Sequence, residues 1–452
     1  MRLPALVFTV VFALASALGS CSRLPADDAS ATPAQPLADS DLAAFVAKIR
    51  AVDNHTHPNS LAPADTDADA LPLDGLMPIE LPVRFGLDNP EMLAAYRTMY
   101  QYPHADMSEA HLKELRGTMQ RIAKAKGDSF PAWVLDQVGT EVMLANRVAM
   151  GPGLTSSRFR WVSFADPLLY PLSNRNEAAV TPDRAKLFPL TAKLLRRYLA
   201  DLTIARVPAT LDGYLKTVVT PTLEAQRRGG AVAIKFEAAY LRSLDFGDAS
   251  ALAATGVYAR YAAGGDPSRA DYKTLQDFLF RYIAREAGRL GMPVHVHAFN
   301  GAGNYFSASG ADPALMEPML NDSTLRATRF VIVHGGGAYS AQAGALLWKP
   351  NVYADISFMT LAYSPSQLAD ILRGWLLQFP NKVLFGTDAS AFGPDAGWDV
   401  VAAAATGGGR TALAIALTEM VRRGEVSRIR AKEIATMVMR TNAATLHDLR
   451  LR

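Results

Sequence analysis

The sequence predicts an α/β fold closed as a (β/α)8 TIM barrel, with long insertions after strands one and three. Three observations carry that prediction. Eight short runs rich in apolar and β-branched residues recur along the chain, and helical stretches separate them. The run at 330–333 is apolar throughout, as strands buried on both faces are. Five of the eight histidines fall at the ends of such runs, and a barrel builds its active site at the C-terminal ends of its strands.

In chain order, strands are expected at residues 49–55, 141–145, 159–164, 231–236, 293–297, 329–334, 352–356 and 382–387. Apolar periodicity predicts helices over 190–205, 211–228, 272–290, 365–378, 410–423 and 431–448. A doubly wound sheet is the structural alternative. It would carry a glycine-rich turn after its first strand, where this chain has Asn54-His55-Thr56-His57-Pro58. Gly407-Gly408-Gly409 follows no identifiable strand and reads as a flexible loop. The surplus over a minimal barrel lies at about 58–139 and 165–230. Insertions after strands lie on the active-site face, so these are expected to cap the pocket or form a homo-oligomer interface.

Half of the 452 residues are hydrophobic, which excludes wholesale disorder. The formal charge is only +3, with no basic run, so nucleic acid is not an expected partner. The start of the chain reads as a signal peptide over residues 1–20: Arg2, an apolar run over 6–18, then small residues. Leu18-Gly19-Ser20-Cys21 resembles a bacterial lipobox, and Cys21 is the only cysteine. Residues 21–41, rich in Ala, Pro, Asp and Ser, read as a flexible tether with a reach of ~25 Å. The barrel is expected over 42–452. These features predict an exported, periplasmic protein whose only membrane contact is a lipid anchor at Cys21.

His55 and His57 lie two apart, which places both imidazoles on one face of a strand. His295 and His297 repeat that spacing on strand five; the two lie ~6.6 Å apart along it. Only His297 reaches the barrel mouth, and His295 lies a layer deeper. His334 ends strand six and is followed by three glycines; Asp388 follows strand eight. On strand four, Val232, Ile234 and Phe236 suit the outer face, so Lys235 points inward with Ala233. A lysine there needs an acidic partner, an anionic substrate, or conversion to a carbamate. Asp355 on strand seven either hydrogen-bonds a ligand histidine or pairs with Lys235. Imidazole and carboxylate donors with room for water suit a catalytic zinc-type centre. His104, His111 and His447 fall outside this set and read as structural or exposed.

With those residues in place, the chain resembles the amidohydrolase superfamily, specifically its amidohydrolase-related branch. The matching pieces are DNHTHP (53–58), PVHVHA (293–298), FVIVHGG (330–336), VLFGTDAS (383–390) and TNAATLHDL (441–449). The resemblance implies a metal-dependent barrel with His55, His57 and Asp388 at the primary metal site. His297 and His334 map to the strand-five and strand-six histidines. Some members bridge two metals with a carbamylated strand-four lysine, whereas others keep one metal and lack that lysine. Here Lys235 is present, which favours the bridge. The implied cofactor is a divalent metal, Zn2+ foremost, as one or two ions.

The expected function is a hydrolase that uses a metal-activated water to cleave an amide, lactone or related C–N or C–O bond of a small molecule. Asp388 would serve as general base and acid. His334 would polarise the substrate carbonyl or complete a second metal site. Tyr240, Arg242 and Asn300 are expected substrate contacts, with Arg242 suggesting an anionic group. A nonoxidative decarboxylase or sugar-acid isomerase on the same scaffold is the first alternative. A catalytically inactive, lipid-anchored binding protein is the second.

Overall fold

Eight strands form in the computed structural model, which describes residues 37–61, 65–76 and 82–451. They are β1 (Ala51–Thr56), β2 (Thr140–Asn146), β3 (Phe159–Phe164), β4 (Ala231–Phe236), β5 (Val294–His297), β6 (Phe330–Val333), β7 (Val352–Asp355) and β8 (Val383–Leu384). Each pairs in parallel with the next, in the order β1 to β8. The ring closes through main-chain bonds from Asn54 N to Phe385 O (2.9 Å), Asp388 N to His55 O (2.8 Å) and His57 N to Ala389 O (2.8 Å). The signal-peptide and lipobox expectations, Cys21 and residues 21–36 of the tether lie outside the described residues. The helix Ser40–Lys48 opens the fold, capped by the Asp39 side chain.

Side-chain alternation sorts the strands into two packing layers. Val52, Val142, Leu144, Val162, Ala233, Val331, Val333 and Leu384 form one cluster, joined by Ala443 and Leu446 of the terminal helix Asn442–Leu446. Ile234, Phe236, Val294, Val296, Phe330 and Ile332 face the surrounding helices. Each such fully buried side chain contributes roughly 1.5–3 kcal/mol. Val232 differs from its expected place: it packs with the first cluster. The β3–β4 register shifts between Trp161 and Val162, which skips Val232 and breaks the alternation there.

The glycine run is the clearest correction. Gly407, Gly408 and Gly409 lie inside the helix Trp398–Arg422 and not in a loop. A Cβ at Gly408 would stand 2.7 Å from Thr360 O. The run therefore lets this helix approach the segment after β7. By length and composition the helix could cross a membrane, but 78% of its apolar stretch is buried inside the fold. The first insertion supplies the helices Pro90–Tyr100, Glu109–Lys126 and Phe130–Val138. Tyr96, Met99, Phe130 and Val134 pack there against Trp398, Val401 and Ala405. Arg116 fastens the insertion to Asp395 through bonds of 2.6 and 2.9 Å.

Candidate metal centre

His55 and His57 leave the C-terminal end of β1 on one side of the chain, and Asp388 meets them from the segment after β8. His55 Nε2 lies 3.2 Å and His57 Nε2 3.5 Å from Asp388 Oδ1. Two observations explain how Asp388 arrives there. Asp53 accepts bonds from Thr387 N (3.0 Å) and Thr387 Oγ1 (2.6 Å), which clamps the end of β1 to the chain before Asp388. Asp388 itself takes a left-handed backbone, φ 57°, as does His334 at φ 64°. Such conformations cost energy outside glycine and gather at functional sites.

Lys235 projects inward from β4, with Nζ 3.1 Å from His55 Nε2. His297 and His334 complete the rim, with ring centres 4.7 Å apart, and His334 lies 5.1 Å from His55. The supporting bonds select tautomers. His297 Nε2 donates to the Asn300 carbonyl at 2.8 Å, which leaves Nδ1 with its lone pair. His334 Nδ1 faces the Ser357 carbonyl at 3.1 Å and Ser357 Oγ at 2.9 Å, which leaves Nε2 free. Ser357 Oγ in turn donates to Asp355 Oδ1 at 2.5 Å. Asp355 also accepts from His334 N (2.9 Å) and Asn54 Nδ2 (2.8 Å). Asp355 thus bonds the main chain of His334 and reaches its ring only through Ser357, rather than bonding a ligand imidazole directly as expected. The glycines after His334 make the turn possible. Gly337 has φ 54°, and a Cβ there would stand 2.3 Å from the Phe299 ring.

Burial disfavours charge on the imidazoles. It holds His55 and His334 well below the usual histidine range and His297 down to about 3, helped by the positive charge of Lys235. Neutral rings with directed lone pairs are what a metal requires. Burial pushes the Asp388 carboxyl up, while His57 and Lys235 pull it back. Among the described residues, donor atoms of His55, His57 and Asp388 fall within 4.8 Å of one another. Two imidazole nitrogens and a carboxylate oxygen are a fitting set for a divalent ion of borderline softness. A second group, His57, Asp69 and Glu237, meets the same distance. His297 and His334 belong to neither group.

The expected substrate contacts divide. Tyr240 stands at the rim, its ring centre 4.4 Å from His297. Asn300 contributes its main-chain carbonyl to His297, and the residue is exposed. Arg242 is a correction: it is 7% exposed and committed to the protein. Its guanidinium bonds Asp277 (2.6 Å), Gln276 (3.0 Å) and the carbonyls of Ser243 and Asp245. It fastens the loop after β4 to the helix Arg269–Arg289 and offers no anion site. His295 lies buried beneath the centre, 5.1 Å from His447. His104 and His111 stack on each other at 3.5 Å in the first insertion.

Five nearby residues escaped the sequence reading. Glu237 was legible: it lies two residues beyond Lys235, on the same side of the chain by the period of a strand. Asn146 ends β2, 2.9 Å from His55 Nδ1, and Ser357 lies two residues beyond β7. Asp166 follows β3 and accepts the Glu237 main-chain N–H at 2.8 and 2.9 Å. Asp69, whose Oδ2 is 3.2 Å from His57 Nδ1, sits in an insertion without motif or period. Two surface clefts, of about 410 and 470 Å3, are lined by no residue of the centre.

Residues 195–446 match the family model described as amidohydrolase. No curated protein sequence matches the chain. Solved structures resemble it in fold. One is a Lactobacillus casei protein provisionally assigned as a metal-dependent hydrolase, with 16% identity, TM-score 0.59, and 90% of this chain and 97% of that one covered. A uronate isomerase from Thermotoga maritima has 14% identity and TM-score 0.57, covering 91% and 98%. A glucuronate isomerase from Caulobacter crescentus has 13% identity and TM-score 0.60, covering 92% and 97%. At these identities the likeness extends to the fold alone.

Proposed function

The chain belongs to the amidohydrolase family, and from that premise we propose that it is a zinc-dependent hydrolase of a small-molecule amide or lactone. The observation that carries the reading is the convergence of His55 Nε2, His57 Nε2 and Asp388 Oδ1. These three residues would hold the primary ion. A carbamylated Lys235, with His297 Nδ1 and His334 Nε2, would hold a second. When bound, such an ion supplies Lewis acidity and a water acidified toward pKa ~7.

The chain's own groups do the rest. Asp388 takes a proton from the attacking water, whose oxygen bonds to the acyl carbon. The C–N or C–O bond then breaks, and Asp388 returns the proton to the leaving nitrogen or oxygen. His334 Nδ1 is held by Ser357, so its Nε2 would serve either the second ion or, where only one ion is bound, the substrate carbonyl oxygen. The rings of Phe299 and Phe358 flank His334, with centres 6.1 and 5.9 Å from it. Isomerisation of a sugar acid is the second reading. The uronate and glucuronate isomerases of similar fold support it, whereas a single metal beside an uncarbamylated Lys235 would favour decarboxylation.

The test is a screen of the zinc-loaded enzyme against amides, dipeptides and lactones, with uronates and aromatic acids alongside. Metal-dependent release of amine or alcohol supports the reading. Turnover confined to uronates or to decarboxylation replaces it.

A further inference from the structure

We propose, resting on the hydrolase reading, that Asp69 and Glu237 form a subsite for an ammonium group of the substrate. The substrate class is then an amino-bearing amide.

Glu237 is the starting observation. It is 2% exposed, and its Oε2 has no hydrogen-bond partner among the described residues. A buried carboxyl without a partner either holds its proton, the direction in which burial pushes Glu237, or gives it up to join a cation. An oxygen of Glu237, an oxygen of Asp69 and a nitrogen of His57 lie within 4.8 Å of one another. Asp166 holds the turn by taking the Glu237 N–H on both oxygens, at 2.9 and 2.8 Å. The Asp69 side chain is 23% exposed, against 11% for His57, so the subsite opens beside the metal centre.

The donor set separates two kinds of cation. His57 Nδ1 lies 3.2 Å from Asp69 Oδ2. It carries the proton when Nε2 serves the primary ion, so it has no lone pair for a second. Two carboxylates remain, one donor short of the three protein ligands usual at a catalytic zinc. An ammonium group has three N–H donors and is satisfied by two carboxylates and a water or substrate acceptor.

Lys235 acts electrostatically on both carboxylates, but its Nζ is engaged by His55 Nε2 at 3.1 Å and, on the proposed function, carbamylation removes its charge. The arginines that follow strand ends are committed: Arg147 to Asp65 at 2.6 Å and Arg242 to Asp277 at 2.6 Å. A substrate carboxylate at this place would face Glu237 and Asp69, two like charges.

The experiment titrates the zinc-loaded full chain at pH 7.5 with three amides of matched size: β-alaninamide, 3-hydroxypropanamide and succinamate. They place an ammonium, a hydroxyl or a carboxylate at the same position. β-Alaninamide is expected to bind at least about tenfold tighter than 3-hydroxypropanamide, with succinamate weakest. Glu237→Gln is expected to erase the ammonium preference and leave zinc per chain unchanged, and Asp69→Asn is expected to erase the preference as well. Equal binding of the three, preference for succinamate, or no binding of β-alaninamide overturns the subsite. Loss of a zinc equivalent in Glu237→Gln overturns it too, and makes the pair a metal site. A wild-type chain that takes up no divalent ion contradicts the hydrolase reading itself, and the subsite with it.

Discussion

Lys235 Nζ stands 3.1 Å from His55 Nε2, on the side of the ring that also faces Asp388. One imidazole edge thus meets the β4 lysine and the β8 carboxylate together. If the lysine is carbamylated, zinc uptake is expected to rise from one to two ions per chain when bicarbonate is added. Lys235→Met should hold it at one in both conditions. Stoichiometry by elemental analysis checks this, and a bicarbonate-independent value of one would favour the free amine.

Asp388→Asn keeps the shape of the site and, on the proposed mechanism, removes the proton acceptor. Turnover is expected to fall roughly 10^2–10^4-fold, the range for loss of a general acid–base group. Steady-state kinetics on matched zinc-loaded samples measure it. Full turnover with zinc bound would exclude Asp388 from proton transfer.

Ser357 is a positioning residue, linking Asp355 to the His334 ring through bonds of 2.5 and 2.9 Å. Removing support behind such a ligand typically costs 10–100-fold in metal affinity or activity. Ser357→Ala should lower kcat by that order with KM little changed, and Ser357→Thr should recover much of it. A loss of thermal stability without a kcat effect would make the bond merely structural.

Arg242→Leu tests the reassignment of that residue. It leaves the buried Asp277 carboxylate with only Lys273, at 2.6 Å, as a charged partner. Because Lys273 remains, the expected loss is below the roughly 3–5 kcal/mol of a buried charge left wholly unpaired. Chemical denaturation measures it, and KM for an amide substrate should stay near wild type at temperatures where the variant is folded.

His447 gives a pH signature. Burial, with the Arg329 charge, holds its pKa down to about 3, and Nε2 contacts Asn54 Oδ1 at 2.8 Å. The unfolded chain binds this proton near pH 6.5 and the folded chain does not. The stability it confers is therefore present above pH 6.5 and is lost as pH falls toward 3. Relative to wild type, His447→Gln should gain about 1.4 kcal/mol per pH unit between 6.5 and 4, and show a constant difference above pH 7. Denaturant titrations across that range decide it; a pH-independent difference would mean His447 titrates in the fold as it does in the unfolded chain.

The barrel was legible because period and spacing are local signals. Phe159–Phe164 and Ala231–Phe236 form as strands with the expected bounds. Strand eight was expected over 382–387 but pairs only at Val383–Leu384, because the chain then turns to bond β1. The glycine run misled because its close approach to Thr360 depends on tertiary packing, which glycine content alone does not report. The histidines of the centre end strands and so carry a pattern. Asp69 comes from an insertion without period, and its meeting with His57 is set by packing. Arg242 had the right chemistry for an anion, but its partner Asp277 lies on a helix whose approach no local signal reveals.

The measurement closest to the central claim is the zinc content of the purified full chain after reconstitution and desalting, beside His57→Ala and Asp388→Ala. The account predicts at least one tightly held ion per wild-type chain and its loss in both variants, with the fold intact by circular dichroism. A wild-type chain that retains no ion, or variants that retain it fully, would contradict a metal centre at His55, His57 and Asp388.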